Sequence, residues 1–371
     1  MDFAFTPEHD ELRQTVRRFL DKESSETAVR AVMESDRGYD ERTWTRMAEE
    51  MALPGLSVPE EYGGAGLGPI ERAIVMEEMG RVLFCGPYLS TAVVAADTLL
   101  LAGDDDARGR LLPEIASGRA LVTLALGEEG GAWEPADVRL EAHRDGASHR
   151  LEGTKEFVVD GHVADVLLVA ARMDAGVALF EVDAGARGLE RTLLPTLDLT
   201  RKLARIRFSG TSGRRIGSAD AAPQLAMVLA RALAALAAEQ AGGAERCLEM
   251  ATDYARTRLQ FGRAIGSFQA IKHKCADMLV EVEFARSAAY YAAFRAADED
   301  AQELASASHM AKAYCSEAFF HAAADNIQIH GGMGFTWEHP AHLYFKRARA
   351  SSVLFGDPVY HRERLAARIG V

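Results

Sequence analysis

Three arginines and an aromatic residue lie close together in the stretch Tyr254–Lys274. The apolar pattern predicts a helix that breaks at Phe261-Gly262-Arg263 and a new helix that begins at Phe268. Arg256, Arg258 and Arg263 therefore crowd one helix end and its turn. Guanidinium groups offer paired donors to an anion, and the ring offers a stacking face. A solvated helix C-terminus also favours cations. On these residues alone, a ligand site and a solvated basic helix end both remain open.

Two motifs occur in this region and further along the chain. The residues Arg258–Gln269 fit the pattern RxxFGxxIxxFQ, and the residues Gln328–Phe335 fit QxxGGxGF. Both patterns, in this order, resemble signatures of the acyl-CoA dehydrogenase family, and with the length and element order the likeness covers nearly the whole chain. The resemblance implies an FAD cofactor, an acyl-CoA substrate and an electron-transfer flavoprotein as electron acceptor.

The resemblance also implies which residues contact FAD. The matching positions would reach across a subunit interface and grip the adenosine and pyrophosphate of a neighbour's FAD: Arg258, Gln260, Phe261, Gln328, Gly331 and Gly332. Arginine would neutralise pyrophosphate, phenylalanine would pack against adenine, and glycine would allow a close backbone approach. A tight turn between helices without a ligand is the alternative for Gly331 and Gly332.

The family's catalytic glutamate is missing from both of its usual positions. Desaturation of an acyl-CoA needs a carboxylate that removes the α-proton. The two positions correspond here to Ala232 and Phe355, and neither side chain accepts a proton. Asp357 and Glu239 are displaced candidates, although Asp357 also suits a turn or helix cap. The catalytic residues therefore stay unassigned.

The segments that would hold the flavin ring also depart from the family. The loop that reads TEPxxGSD in the family is the acidic segment Gly127–Asp137 here, and its carboxylates would face a flavin or its phosphates unfavourably. The W-I-T/S segment corresponds to Phe157-Val158-Val159, which lacks the hydroxyl group. The adenosine-side positions are kept, whereas the ring side and the base are lost.

This asymmetry suggests a subunit that is active only in a complex. The resemblance implies a hetero-oligomer, α2β2 as in some actinobacterial enzymes that act on steroid side chains, in which this chain lends adenosine-side contacts to a homologous partner's FAD. A stand-alone homotetramer with Asp357 or Glu239 as a displaced base is one alternative. A scaffold or acyl-carrier-binding protein without a redox role is another. The sequence leaves the particular acyl-CoA open.

Composition limits the other possible classes. The chain has 371 residues with a formal net charge of −13, which disfavours binding to nucleic acid or to anionic membranes. No unbroken apolar run has the length of a membrane span. The four cysteines lack metal-type spacing, so we expect no metal site and reduced thiols in a cytoplasmic protein.

The element pattern predicts an α+β fold of acyl-CoA dehydrogenase type. Residues 1–118 form an N-terminal helical domain, residues 119–216 a middle β domain, and residues 217–371 a C-terminal four-helix bundle that carries both motifs. Within the β domain, short apolar segments predict strands at 121–126, 138–141, 157–159, 166–170, 177–182 and 203–208. Thr6 and Pro7 predict the start of the first helix.

Overall fold

The computed structural model describes residues 5–131, 133–146, 148–298 and 301–371. Helices come first, strands follow, and helices return. This order confirms the α+β architecture predicted from the sequence.

The helices, in chain order, are α1 (Pro7–Glu23), α2 (Glu26–Met33), α3 (Glu41–Met51), α4 (Pro69–Arg81), α5 (Ala96–Ala102), α6 (Asp105–Ala116), α7 (Ala222–Thr257), α8 (Gln269–Ala297), α9 (Ala301–His330), α10 (Ala341–Val353) and α11 (Pro358–Ile369). A π-helix, Tyr88–Ala95, runs directly into α5. Helix α1 begins as predicted, with Pro7 in its first turn. The Thr6 hydroxyl accepts the His9 amide and the His9 ring accepts the Thr6 amide, which satisfies two donors at the helix start.

The strands are β1 (Val122–Ala125), β2 (Glu141–Asp145), β3 (Ser148–Val159), β4 (Val166–Met173), β5 (Gly176–Asp183), β6 (Leu189–Leu193), β7 (Leu203–Ile216), β8 (Leu259–Gln260) and β9 (Arg263–Ala264). The first seven form one sheet in the order β1-β4-β2-β3-β7-β5, with β6 paired to β7. Because β4 also pairs with β5, the sheet closes on itself. Its inward residues include Leu151, Phe180 and Phe208, which are almost fully buried.

One strand prediction in this sheet was wrong, and one strand was missed. Residues 138–141 were expected to be a strand, but Pro135–Asp137 forms a 3-10 turn and β2 begins only at Glu141. Strand β6 was not predicted at all. Its side chains are exposed or half-buried and it pairs only with β7, so it lacks the apolar alternation that marks a core strand.

In the C-terminal region, α9 packs against α8, α10 and α11. Small apolar side chains such as Ala311 and Ala318 are buried along α9, while Ala285 and Ala289 are buried along α8. Alanine in a helix interior has high helix propensity and allows neighbouring helices to approach closely. These alanines therefore allow α8 and α9 to pack closely.

The chain folds into two compact units. One contains Met1–Arg30, Pro69–Phe84 and Leu233–Val371, and the other contains Ala31–Gly68 and Cys85–Ala232. Below we call them the helical unit and the sheet unit. The division into domains at 118/119 and 216/217 stays a prediction.

Helix α7 bears on the expectation that no apolar run has the length of a membrane span. Within the described residues it is the one helix that is long and apolar enough to cross a membrane, with a mean hydropathy of 1.3 over its most apolar window. However, 78% of that window is buried inside the protein. A buried core helix meets the same criterion.

Candidate functional site

The first motif forms a β-hairpin after α7. Strands β8 and β9 pair through Leu259 with Ala264 and through Gln260 with Arg263. The two turn residues have left-handed backbones, with φ of 53° at Phe261 and 76° at Gly262. A two-residue hairpin of this kind needs positive φ at both turn positions. The predicted break in the helix is therefore present, but α7 already ends at Thr257.

The hairpin holds an aromatic ring out in solvent. The Phe261 side chain is 90% exposed. Its positive φ is a strained backbone conformation for a bulky residue. Arg263 lies over the Phe268 ring at 4.0 Å, and Arg256 pairs with Asp253 at 3.6 Å. Among the described residues, none pairs with the exposed Arg258 guanidinium. Of the three predicted arginines, Arg258 is the one left available to a ligand.

The second motif follows the end of α9, where Gly331–Phe335 forms a 3-10 turn. A Cβ atom placed on Gly331 or Gly332 would meet no atom within 4 Å, so both residues border open space. In contrast, a Cβ on Gly334 would lie 2.8 Å from the Cβ of His330. Gly334 is therefore required by the packing of the turn, whereas the open space above the other two glycines leaves room for a ligand.

Aromatic stacking brings the two motifs together. The rings of Tyr254, four residues before Arg258, and His330, next to Gly331, stack at 4.2 Å with an interplanar angle of 26°. His330 Nδ1 donates to the Asn326 carbonyl at 2.9 Å when that nitrogen carries the proton. Burial lowers the pKa of His330, which favours the neutral ring. His330 is thus a structural histidine of the turn.

The six predicted FAD contacts all lie in the helical unit and are all exposed: Arg258, Gln260, Phe261, Gln328, Gly331 and Gly332. Exposed apolar side chains lie in or next to the same motifs, including Leu259, Phe335 at 80% and Trp337 at 58% exposure. Whether these residues bind FAD stays a prediction.

Neither position of the family's base carries a carboxylate. Ala232 on α7 is fully buried in the sheet unit, and Phe355, in the helical unit, is 8% exposed with φ of 61°. Lys312 on α9 holds the turn around Phe355. Its Nζ donates to the Ser352 carbonyl at 3.1 Å, to the Gly356 carbonyl at 3.2 Å and to the Ser316 hydroxyl at 3.0 Å. Burial lowers the pKa of Lys312 to about 7.

Both displaced candidates for the base are engaged elsewhere. Asp357 is exposed and caps α11, accepting the Tyr360 amide at 2.8 Å. Glu239 is buried and accepts the Arg347 guanidinium at 2.9 Å. Arg347 is itself only 2% exposed, so the ion pair is closed to solvent.

The loop between β1 and β2 folds inward in the sheet unit. The Glu128 carboxylate accepts Lys155 Nζ at 2.6 Å and the amides of Arg139 and Leu140. Burial alone would raise the pKa of Glu128, but these donors lower it. The expectation that the loop's acidic residues face a ligand is therefore wrong for Glu128. In β3, Phe157 has φ of 55° and is 40% exposed.

Comparison with known proteins gives the family. Models of the acyl-CoA dehydrogenase N-terminal and C-terminal domains match residues 6–119 and 224–370. Acyl-CoA dehydrogenase IpdE2 of Mycolicibacterium smegmatis is 35% identical over 98% of this chain and 99% of the relative. A chain of the ChsE4-ChsE5 complex from Mycobacterium tuberculosis is 31% identical, with a TM-score of 0.90 over 100% of this chain and 99% of that chain. A variant of the Tcur3481-Tcur3483 steroid ACAD is 32% identical, with a TM-score of 0.90 over 98% of both chains.

Fold and relatives together define a flavoprotein oxidoreductase. Within that class, the chain belongs to the acyl-CoA dehydrogenase family, whose members are FAD-dependent. The family and the cofactor implied by the two motifs are confirmed.

Proposed function

We propose that this chain is the non-catalytic subunit of a hetero-oligomeric acyl-CoA dehydrogenase. It lends adenosine-side contacts to an FAD whose ring and catalytic base belong to a homologous partner. One contrast within the chain carries the proposal. Arg258 is exposed with no pairing partner among the described residues, and the backbone at Gly331 and Gly332 borders open space. Yet Ala232 and Phe355 occupy the two positions of the family's base. The chain offers one half of a cofactor site and lacks the groups for chemistry.

The exposed site suits the adenosine-pyrophosphate half of FAD. The Arg258 guanidinium can form charge-assisted hydrogen bonds to a phosphate, and the backbone at Gly331 and Gly332 leaves room for close approach. The solvent-facing Phe261 ring gives a flat apolar surface for a purine. In the complex these residues would bind and orient FAD, and the flavin would supply the hydride-accepting chemistry.

The partner must provide a carboxylate that removes the α-proton of the acyl-CoA. In this chain, Glu239 is held by Arg347 in a buried ion pair, and Asp357 caps a helix. Both carboxylates are therefore engaged in contacts within the chain. These contacts support the hetero-oligomer over a stand-alone enzyme that uses Glu239 or Asp357.

Two solved relatives support the choice of partner and substrate class. One is part of a complex of ChsE4 with ChsE5, and the other is a steroid ACAD. We propose an α2β2 assembly, a steroid-derived acyl-CoA as substrate and an electron-transfer flavoprotein as electron acceptor. A cytoplasmic location fits the four free thiols.

Co-expression with a homologous gene from the same genome tests the proposal. We expect this chain alone to be colourless or poorly soluble, and the complex to be yellow and active. In the complex, Arg258→Ala removes a charge-assisted contact of roughly 1.5–3 kcal/mol, so FAD should dissociate about 10- to 100-fold more readily. The matched control is Arg256→Ala, because Arg256 is exposed on the same helix end but pairs with Asp253.

Other results would support the alternatives. A yellow, active homo-oligomer purified from this chain alone contradicts the proposal. Loss of turnover with retention of FAD in Asp357→Asn favours a stand-alone enzyme. A complex purified without flavin favours a scaffold or an acyl-carrier-binding protein.

A further inference from the structure

We infer that the indole of Trp133 fills the space between the two segments that would hold a flavin ring in this chain, so that the chain excludes a ring of its own. The inference rests on the proposed function and names the residue that would keep a flavin ring out of this chain. The two segments are the β1–β2 loop, which begins at Gly127, and the end of β3 at Phe157-Val158-Val159. All of these residues belong to the sheet unit.

The indole lies against the start of the loop. Trp133 is 7% exposed, although positions 129–131 of the same loop are exposed. A Cβ atom placed on Gly127 would lie 2.8 Å from Trp133 Cζ3 and 3.0 Å from Cη2. Such distances do not occur for real Cβ atoms, so only glycine allows the six-membered ring to approach the backbone this closely.

The same place borders β3. The Cβ position on Gly127 is 2.9 Å from the Glu156 carbonyl oxygen, and the Glu156 amide donates to the Gly127 carbonyl at 2.8 Å. The loop start is thus joined to β3 one residue before Phe157. An aromatic side chain packed on Gly127 therefore lies at the junction of the two segments.

A buried charge pair keeps the loop folded inward. Lys155 is fully buried on β3, and its Nζ donates to the Leu126 carbonyl at 3.1 Å as well as to Glu128. Glu128 also binds the amides of Arg139 and Leu140, at the far end of the loop. The residues on both sides of Trp133 are therefore fixed to the sheet, and the indole has little freedom to leave.

The end of β3 after Glu156 is apolar. Val158 and Val159 are buried, and their residues pair with Ala204 and Leu203 of β7. Their side chains offer no hydroxyl to a flavin. A planar heteroaromatic ring could enter only if it displaced Trp133, which would expose the indole to water.

Lumiflavin, a flavin ring without adenosine, tests the inference in the co-expressed complex. Because lumiflavin has no pyrophosphate, its binding does not depend on Arg258, and FAD already fills the partner's ring site. We expect equilibrium dialysis to show no lumiflavin bound to the wild-type complex. Trp133→Ala should bind one lumiflavin per copy of this chain, with at least tenfold higher affinity than wild type. Trp133→Phe, which keeps an aromatic ring, should bind far less than Trp133→Ala.

Trp44→Phe is the matched control, because Trp44 is also a buried tryptophan but donates to the Gly118 carbonyl, away from the loop. It should leave lumiflavin binding at the wild-type level. Binding of one lumiflavin per copy by the wild type overturns the inference, as does a Trp133→Ala complex that keeps its FAD and melting temperature but binds none.

A second measurement covers the case in which Trp133→Ala does not assemble. Fluorotryptophan NMR of the wild-type complex, with the Trp133 signal assigned by its loss in Trp133→Phe, should show an indole shielded from solvent and unaffected by lumiflavin. A solvent-exposed or lumiflavin-responsive signal overturns the inference. The proposed function fails separately, if Arg258→Ala retains FAD as the wild type does.

Discussion

At the scale of single residues, Lys312 fixes the turn around Phe355, although Phe355 cannot act as a catalytic base. Its amine is fully buried and contacts the carbonyls of Ser352 and Gly356, on either side of Phe355. Phe355 keeps a left-handed backbone that a bulky residue rarely adopts. The Lys312 contacts compensate for that strain and fix the turn in one conformation.

Lys312 also predicts a pH dependence of stability. Burial lowers its pKa to about 7 in the folded chain, from an ordinary value of 10.5. Between these values the unfolded chain holds the proton and the folded chain does not, so the free energy of unfolding rises with pH. The contribution is at most about 1.4 kcal/mol per pH unit. Chemical denaturation between pH 7 and pH 9 should show this rise in the wild type, relative to Lys312→Met.

The comparison isolates Lys312 from the other buried groups. Lys155, whose pKa burial lowers to about 8, contributes the same trend in both proteins and cancels. His361, whose pKa burial lowers to about 2, is neutral above pH 7 in the folded chain and largely so in the unfolded chain. Equal pH slopes for wild type and Lys312→Met would contradict the prediction.

At the scale of elements, the hairpin of β8 and β9 holds Phe261 exposed to solvent in a strained backbone conformation, which costs stability. Its φ of 53° strains a bulky residue, and the ring gains little packing because it is 90% exposed. Phe261→Gly should therefore raise the free energy of unfolding by about 1 kcal/mol, since glycine accepts positive φ. The same change should weaken FAD retention in the complex, because the stacking surface is lost. Thermal unfolding and released FAD measure the two effects.

A gain in stability with no loss of FAD would show that Phe261 does not contact the cofactor. Phe268→Leu offers a control, because the half-buried Phe268 ring packs edge-on against Phe261 at 6.0 Å and under Arg263 at 4.0 Å. It should change hairpin packing without removing the exposed ring.

Helix α11 gives a second prediction at this scale. Asp357 accepts the Tyr360 amide, and asparagine can replace it as a cap. Asp357→Asn should keep both stability and turnover of the complex, whereas Asp357→Ala should lose about 1 kcal/mol of stability and keep turnover. Denaturation curves and steady-state rates would check both variants. A drop in turnover in Asp357→Asn at unchanged stability would instead identify Asp357 as a base.

At the scale of the whole molecule, the two halves of the cofactor site serve different purposes. The residues of the proposed grip around Arg258 are exposed, whereas Trp133, at the proposed ring side, is buried. Under the proposed function, each FAD needs one grip and one ring site, and this chain would provide only the grip. We therefore expect one FAD per two chains in the complex, measured as released FAD against total protein. One FAD per chain would contradict this count.

Much of the fold was predictable because its signals are local. The alternation and apolar runs of β4, β5 and β7 and the capped start of α1 each depend on neighbouring residues. Strand β6 and the start of β2 were missed because pairing across the sheet, and not local pattern, places them. Helix α7 ends at Thr257, before the predicted break, because the following residues form a hairpin. The two positive φ angles of its turn are poorly indicated by sequence alone.

The sequence by itself determined which groups this chain possesses: two family motifs with their arginine and glycines, and no carboxylate at Ala232 or Phe355. Residue types and spacing along the chain are sufficient for that. Only the tertiary structure decided which of these groups are available. It left Arg258 exposed, placed Glu239 in a buried pair with Arg347, and turned Trp133 inward onto Gly127. Burial, pairing and exposure depend on contacts between residues far apart in the chain, which no local pattern records.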